Sequence, residues 1–147
     1  MKGDNPDILY YYIQVVDYNF EISKSLLQIT RESYEYIDNN HGGFSEEQIL
    51  DLKLILDTVN KIYTEFLIML EAKDYTNFEA LMKKREMLTE VYANSTKHQI
   101  QRAKAHQSDT RSSILFLNIV AETKTLILQS RNMMKSQRKL AKTDVSV

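Results

Sequence analysis

Apolar residues crowd one stretch of the chain more than any other. Ser112–Met134 reads SSILFLNIVAETKTLILQSRNMM, with Ile114, Leu115, Phe116, Leu117, Ile119 and Val120 in its first turns and Leu126, Ile127, Leu128, Met133 and Met134 at its close. No glycine or proline interrupts it, so the run predicts one helix. A helix that is apolar on most sides has to be wrapped by others. Asn118, Glu122, Lys124 and Arg131 fall inside it and make it too polar to cross a bilayer.

The rest of the chain predicts the wrapping. Asn5-Pro6 reads as a helix start, with Asn5 as N-cap, Pro6 in the first turn and Asp7 favourably placed at the positive end. Helix 1 is expected over about 6–38, with Tyr12, Val15, Val16, Ile22, Leu26, Ile29 and Ile37 as its inward stripe. Asn39-Asn40-His41-Gly42-Gly43 ends it, the glycines supplying the left-handed conformation that a helix stop needs. Ser45 and Gln48 have capping-box spacing, and Phe44 and Ile49 that of a hydrophobic staple, so helix 2 opens there and runs to about 73. Ile49, Leu52, Leu56, Val59, Tyr63, Phe66 and Leu70 step by threes and fours along it, a heptad seam that implies near-parallel packing.

Thr76 and Glu79 repeat the capping-box spacing and open helix 3, expected over about 76–107. Phe78, Leu81, Leu88, Val91 and Tyr92 anchor its first half. Beyond Ala93 it turns polar, NSTKHQIQRAKAHQS, and that half is expected to face solvent or a partner. Helix 4 follows over about 109–140, with Ser108 or Asp109 as cap. Residues 1–4 and 143–147 read as frayed ends. Four long helices on short loops make antiparallel neighbours, hence an all-α, up-down-up-down four-helix bundle forming a single domain over 1–147.

Composition narrows the function classes. The 147 residues carry 19 basic and 20 acidic side chains for a net charge of −1, which gives no nucleic-acid footprint. Without cysteine there is no thiol catalysis or thiolate metal site, and a reducing compartment fits. The opening MKGDNPD has no apolar signal region, and nothing reaches eighteen consecutive apolar residues, so no direct membrane span is expected in this chain. No nucleophile elbow or phosphate loop occurs, so no enzymatic activity and no cofactor are expected.

Several sets of residues carry candidate chemistry. Asp17 and Glu21 share a face of helix 1 and are a weak metal-ligand pair; the plainer reading is a solvated acidic edge. His98 and His106, eight apart, are expected to stack two turns from one another on helix 3, too far to share a ligand; His98 is the candidate for phosphotransfer, and a surface histidine is the plainer reading. Lys97, Arg102, Lys104 and Arg111 bracket the helix 3–4 corner, and Arg131, Lys135, Arg138, Lys139 and Lys142 make the C-terminal end basic. Either set suits a helix C-terminus, or docking to an acidic partner or an anionic membrane surface. Nine tyrosines, with Tyr10–Tyr12 together, favour a protein interface at the start of helix 1.

The FSEE opening of helix 2, the Ala72-Lys73-Asp74 corner, EMLTEVY followed by His98-x-x-x-Arg102, and an apolar helix after Ser112-Ser113 resemble the PhoU-like domain, in the form found at the cytoplasmic C-terminal end of bacterial sodium/phosphate cotransporters. Helix 1, with YYIQVVDYNFEISKSL and YEYIDNNH, is similar to the helix preceding that unit. The resemblance covers about residues 8–138. It implies a non-enzymatic regulatory and interaction module of phosphate uptake on the cytoplasmic side. It would be tethered to the inner membrane through the transmembrane carrier domain of the same polypeptide or complex, and a homodimer is compatible with it. The family binds metals through paired acidic E/D-x-x-x-D motifs on two helices. Asp17 and Glu21 keep that spacing once, whereas helix 4 offers Ala121/Thr125 or Glu122/Leu126 and departs from it.

Overall fold

The computed structural model describes residues 6–144. Four helices fill it: α1 (Pro6–Asp38), α2 (Glu46–Ala72), α3 (Phe78–Lys104) and α4 (Thr110–Asp144), with no strand among the described residues. The fold is an all-α, antiparallel four-helix bundle, as the periodicity and short loops imply. The proposed Asn5 cap and the ends 1–4 and 145–147 lie outside the described residues. Thr143, expected to fray, is instead in the last turn of α4.

Helix ends follow local chemistry. At α2, Ser45 Oγ accepts from the Gln48 backbone N–H (3.2 Å) and Gln48 Oε1 accepts from the Ser45 N–H (2.9 Å), which closes the expected capping box. The second expected box, Thr76 with Glu79, does not form. Asp74 Oδ1 takes both the backbone N–H and the hydroxyl of Thr76 (3.0 and 2.6 Å), α3 begins later at Phe78, and Glu79 accepts from Arg138 (2.7 Å). The glycines do not supply the left-handed stop of α1. Asn40 does, with φ 53°, and the Asn40 and His41 N–H groups reach back to Ile37 O and Tyr36 O. Lys73 (φ 50°) and His106 (φ 54°) end α2 and α3 in the same way. His106 therefore stands beyond the helix and does not stack above His98.

The core belongs to three helices. Phe66 of α2, Phe78 and Leu88 of α3, and Phe116 and Met134 of α4 are almost wholly enclosed. On α2 the buried positions are Gln48, Ile55, Val59, Ile62, Phe66 and Met69, so the seam lies close to one residue earlier than the spacing of the leucines implies. Ile49 and Leu56, assigned to that seam from the sequence, are exposed. The expected anchors of α3 are buried except Val91, which is half-buried. The central role of Ser112–Met134 holds, because α4 touches all three other helices.

α1 departs most from expectation. It runs closely along α4, yet none of its Cα atoms comes within 8 Å of one in α2 or α3. Only Val15 and Ser25 are buried; Ile22 and Ile29 are half-buried, while Tyr12, Val16, Leu26 and Ile37 are exposed. Of the predicted inward stripe, only Ile22, Leu26 and Ile29 face the gap where α1 and α2 would meet in a closed bundle.

Candidate functional site

That gap is an apolar groove of about 510 Å³. Ile22, Leu26 and Ile29 of α1 form one wall and Leu52, Leu56 and Tyr63 of α2 the other. Ile119, Thr123 and Leu126 of α4 make the floor. Tyr63 is fixed at its edge by a hydrogen bond to the buried Ser130 hydroxyl, which also donates to Leu126 O (2.8 Å); burial raises the Tyr63 pKa. Side chains of this kind around an open channel receive apolar helices rather than polar small molecules.

The second feature is a polar network that closes the other end of the core. Its residues come from the part of α3 expected to face solvent, of which Ser95, Gln99 and Arg102 are buried. Gln99 Oε1 accepts from Gln48 Nε2 and from Arg102 Nε, both at 3.0 Å. Gln99 Nε2 donates to Ser108 Oγ (3.0 Å) and Ser113 Oγ (2.9 Å). Each hydrogen-bonding atom of the Gln99 amide is thus matched, as burial demands. Arg102 also donates to Asp51 Oδ2 (2.9 Å) and lies 5.3 Å from the centre of the Phe116 ring, which meets Phe44 edge-on. Arg102 is therefore committed to the interior and does not belong to a free basic corner.

His98 stands at the rim of this network. It is half-exposed, with Nδ1 3.4 Å from Asp51 Oδ1. Arg111, at the same corner, reaches His41 instead, with Nη1 2.9 Å from Nε2.

The acidic pair is not assembled into a metal centre. Asp17 is exposed, and Glu21 is held by Lys24 at 3.1 Å. Among the described residues, no three His, Asp or Glu side chains gather as a ligand set. At the basic end, Arg138 pairs with Glu79 and covers the Phe78 ring at 4.6 Å, and Lys139 lies over Tyr11 at 5.0 Å. Arg85 and Lys135 are pushed below their ordinary pKa values, first by desolvation and then by Arg131. The hydroxyl of Tyr92, Nη1 of Arg85 and Nε of Arg131 are buried without a hydrogen-bond partner, and burial drives the Tyr92 pKa up.

Sequence reasoning missed both main features. The groove depends on how far apart two helices stand. The network could be suspected only from Gln48 and Gln99 recurring at helix positions otherwise suited to leucine. No helix among the described residues is long and apolar enough to cross a membrane. Compared with protein-family profiles, with curated proteins and with solved structures, the chain matches none.

Proposed function

We propose that the chain is a helical interaction module that receives an apolar helix of a partner protein. At finer grain, we propose that it is a non-enzymatic, PhoU-like regulatory domain of a sodium-dependent phosphate cotransporter, acting on the cytoplasmic side through the carrier's transmembrane domain. The observation that carries the coarser reading is the open channel between α1 and α2, apolar on both walls and on most of its floor. A closed bundle would fill this space with its own side chains. The finer reading rests on the motifs FSEE, EMLTEVY and His98-x-x-x-Arg102. Sodium-driven uptake of labelled phosphate tests it, in cells that make the carrier alone, with this chain, or with its Leu56→Lys variant. Leu56 is exposed on the groove wall, so the lysine should leave the fold intact. The chain should alter uptake and the variant should not. Equal uptake in all three cases would refute the assignment.

One observation favours a second reading, phosphotransfer through His98. Asp51 engages Nδ1, while Nε2 makes no hydrogen bond among the described residues. An orienting carboxylate on one ring nitrogen raises the reactivity of the other. Incubation with a phosphodonor decides it: acid-labile label that is lost in His98→Gln would establish the signalling role, and no label would remove it.

A further inference from the structure

α1 carries a second apolar face, distinct from the groove. Positions 9, 13, 16, 20, 23, 27, 30, 34 and 37 advance by alternating steps of four and three along the helix. All but Ser23 and Thr30 are large and apolar, and each of these large residues is at least 49% exposed. The face points away from α4, which α1 meets through Tyr11, Gln14 and Ser25 on its other side. A heptad seam of this length is the signature of a helix paired with another helix.

We propose that this seam joins two copies of the chain through an antiparallel α1–α1′ pair. In an antiparallel two-fold pair each seam residue faces a fixed partner position, and one register uses almost the whole helix. It sets Phe20 against the partner's Ser23, Ile13 against the partner's Thr30, Val16 against the partner's Leu27 and Leu9 against the partner's Tyr34. The bulky Phe20 ring thus meets the smallest side chain of the seam. Beside the seam run Tyr10, Asp17, Lys24 and Arg31. The same register places Asp17 next to the partner's Lys24, twice by symmetry, and Tyr10 next to the partner's Arg31.

Alternatives lack this match. Sliding by one heptad in either direction puts Lys24 or Asp17 against its own copy. A parallel pair sets Tyr12, Asn19, Leu26 and Ser33 against the charged flank and forms no ion pair. Within one protomer Lys24 reaches Glu21, whereas Asp17 makes no ion pair among the described residues.

The exposed area agrees. The chain exposes 10032 Å². A compact monomer of 17.2 kDa would expose roughly 7,800 Å². The surplus, shared between this face and the open groove, exceeds the ~800 Å² per partner that a standard interface covers.

Sedimentation equilibrium of the whole chain tests the pairing, with the wild type expected at twice the monomer mass. Asp17→Lys and Lys24→Asp should each weaken dimerisation by on the order of tenfold or more, because like charges then face one another at two symmetric places. The double swap should restore it. Phe20→Lys should give a folded monomer, its helicity checked by circular dichroism. The chain has no cysteine, so Asp38→Cys takes a single spin label. Two such labels should lie about 50 Å apart in the antiparallel register, from the helix rise. A separation on the order of 10–20 Å would mean a parallel pair and overturn the assignment. So would a wild-type monomer at high micromolar concentration, whether or not it binds anionic lipid vesicles, or a double swap that fails to restore the dimer.

Discussion

Helices α1 and α3 differ in how closeness converts to burial. α1 lies along α4 for most of its length, yet encloses only Val15 and Ser25. α3 shares itself between α2 and α4 and buries Phe78, Leu81, Leu88, Tyr92, Ser95, Gln99 and Arg102. A helix resting on one neighbour covers a single stripe; a helix seated between two covers a wedge. The residues flanking the α1 stripe are large and apolar all the same. They hold the groove on one side and the outer seam on the other, so the helix that least supports the core offers the most contact surface.

The largest effect should separate these two regions directly. Phe116→Ala removes a fully buried ring that meets Phe44 and Arg102 and should cost about 3–5 kcal/mol, read from denaturant unfolding. Leu27→Ala on the outer face of α1, made in the monomeric Phe20→Lys background so that loss of the pairing does not enter, should change stability by under about 0.5 kcal/mol. Comparable losses at both would show that α1 is as much a part of the core as α4.

Next comes the polar end of α3. Gln99→Leu keeps the bulk but leaves Gln48 Nε2 and Arg102 Nε without their acceptor, while Ser108 and Ser113 keep each other, at a cost of roughly 1–3 kcal/mol. A stabilised variant would mean that this network is there for specificity and not for stability.

Hydrogen exchange sharpens the contrast. Amides of α1 should exchange ahead of those around Phe66, Leu88 and Phe116, because α1 can open without exposing the main core. Uniform protection would show a single cooperative unit. The smaller effects sit at helix ends.

Asp109 Oδ1 accepts the backbone N–H groups of Arg111 and Ser112 (2.8 and 2.9 Å), and the Ser112 N–H first among its causes holds the carboxyl below its usual range. A lowered folded pKa gives stability that is present above the unfolded value, about 3.9, and is lost as pH falls through the folded one. Asp109→Ala should therefore cost about 0.5–2 kcal/mol at neutral pH and reduce the acid sensitivity of the melting temperature. Lys73→Gly should act in the opposite direction and stabilise by up to roughly 1 kcal/mol, since lysine holds a left-handed φ of 50° there.

The all-helical class, the order of four helices and the place of Ser112–Met134 at their centre are legible in the residues alone. These rest on local causes: propensity, the capping box of Ser45 and Gln48, and unbroken apolar runs. The sequence also placed the stops of α1 and α2 to within a residue, but ran α3 on to about 107 where the helix ends at Lys104. It misjudged which residue takes the left-handed turn at Asn40, because a backbone stop can be completed by any residue whose neighbours recover the strain. Tertiary structure alone decided which apolar face is inside. Periodicity shows that Leu56 and Val59 lie near one another on α2, but a small rotation of the helix buries Val59 and exposes Leu56. It also decided that polar Gln99 and Arg102 go inward, since their hydrogen-bond partners come from other helices, Gln48 and Asp51 of α2 and Ser113 of α4. The groove was equally out of reach: it is set by the spacing of α1 and α2 across α4, a distance that no pattern within either helix encodes.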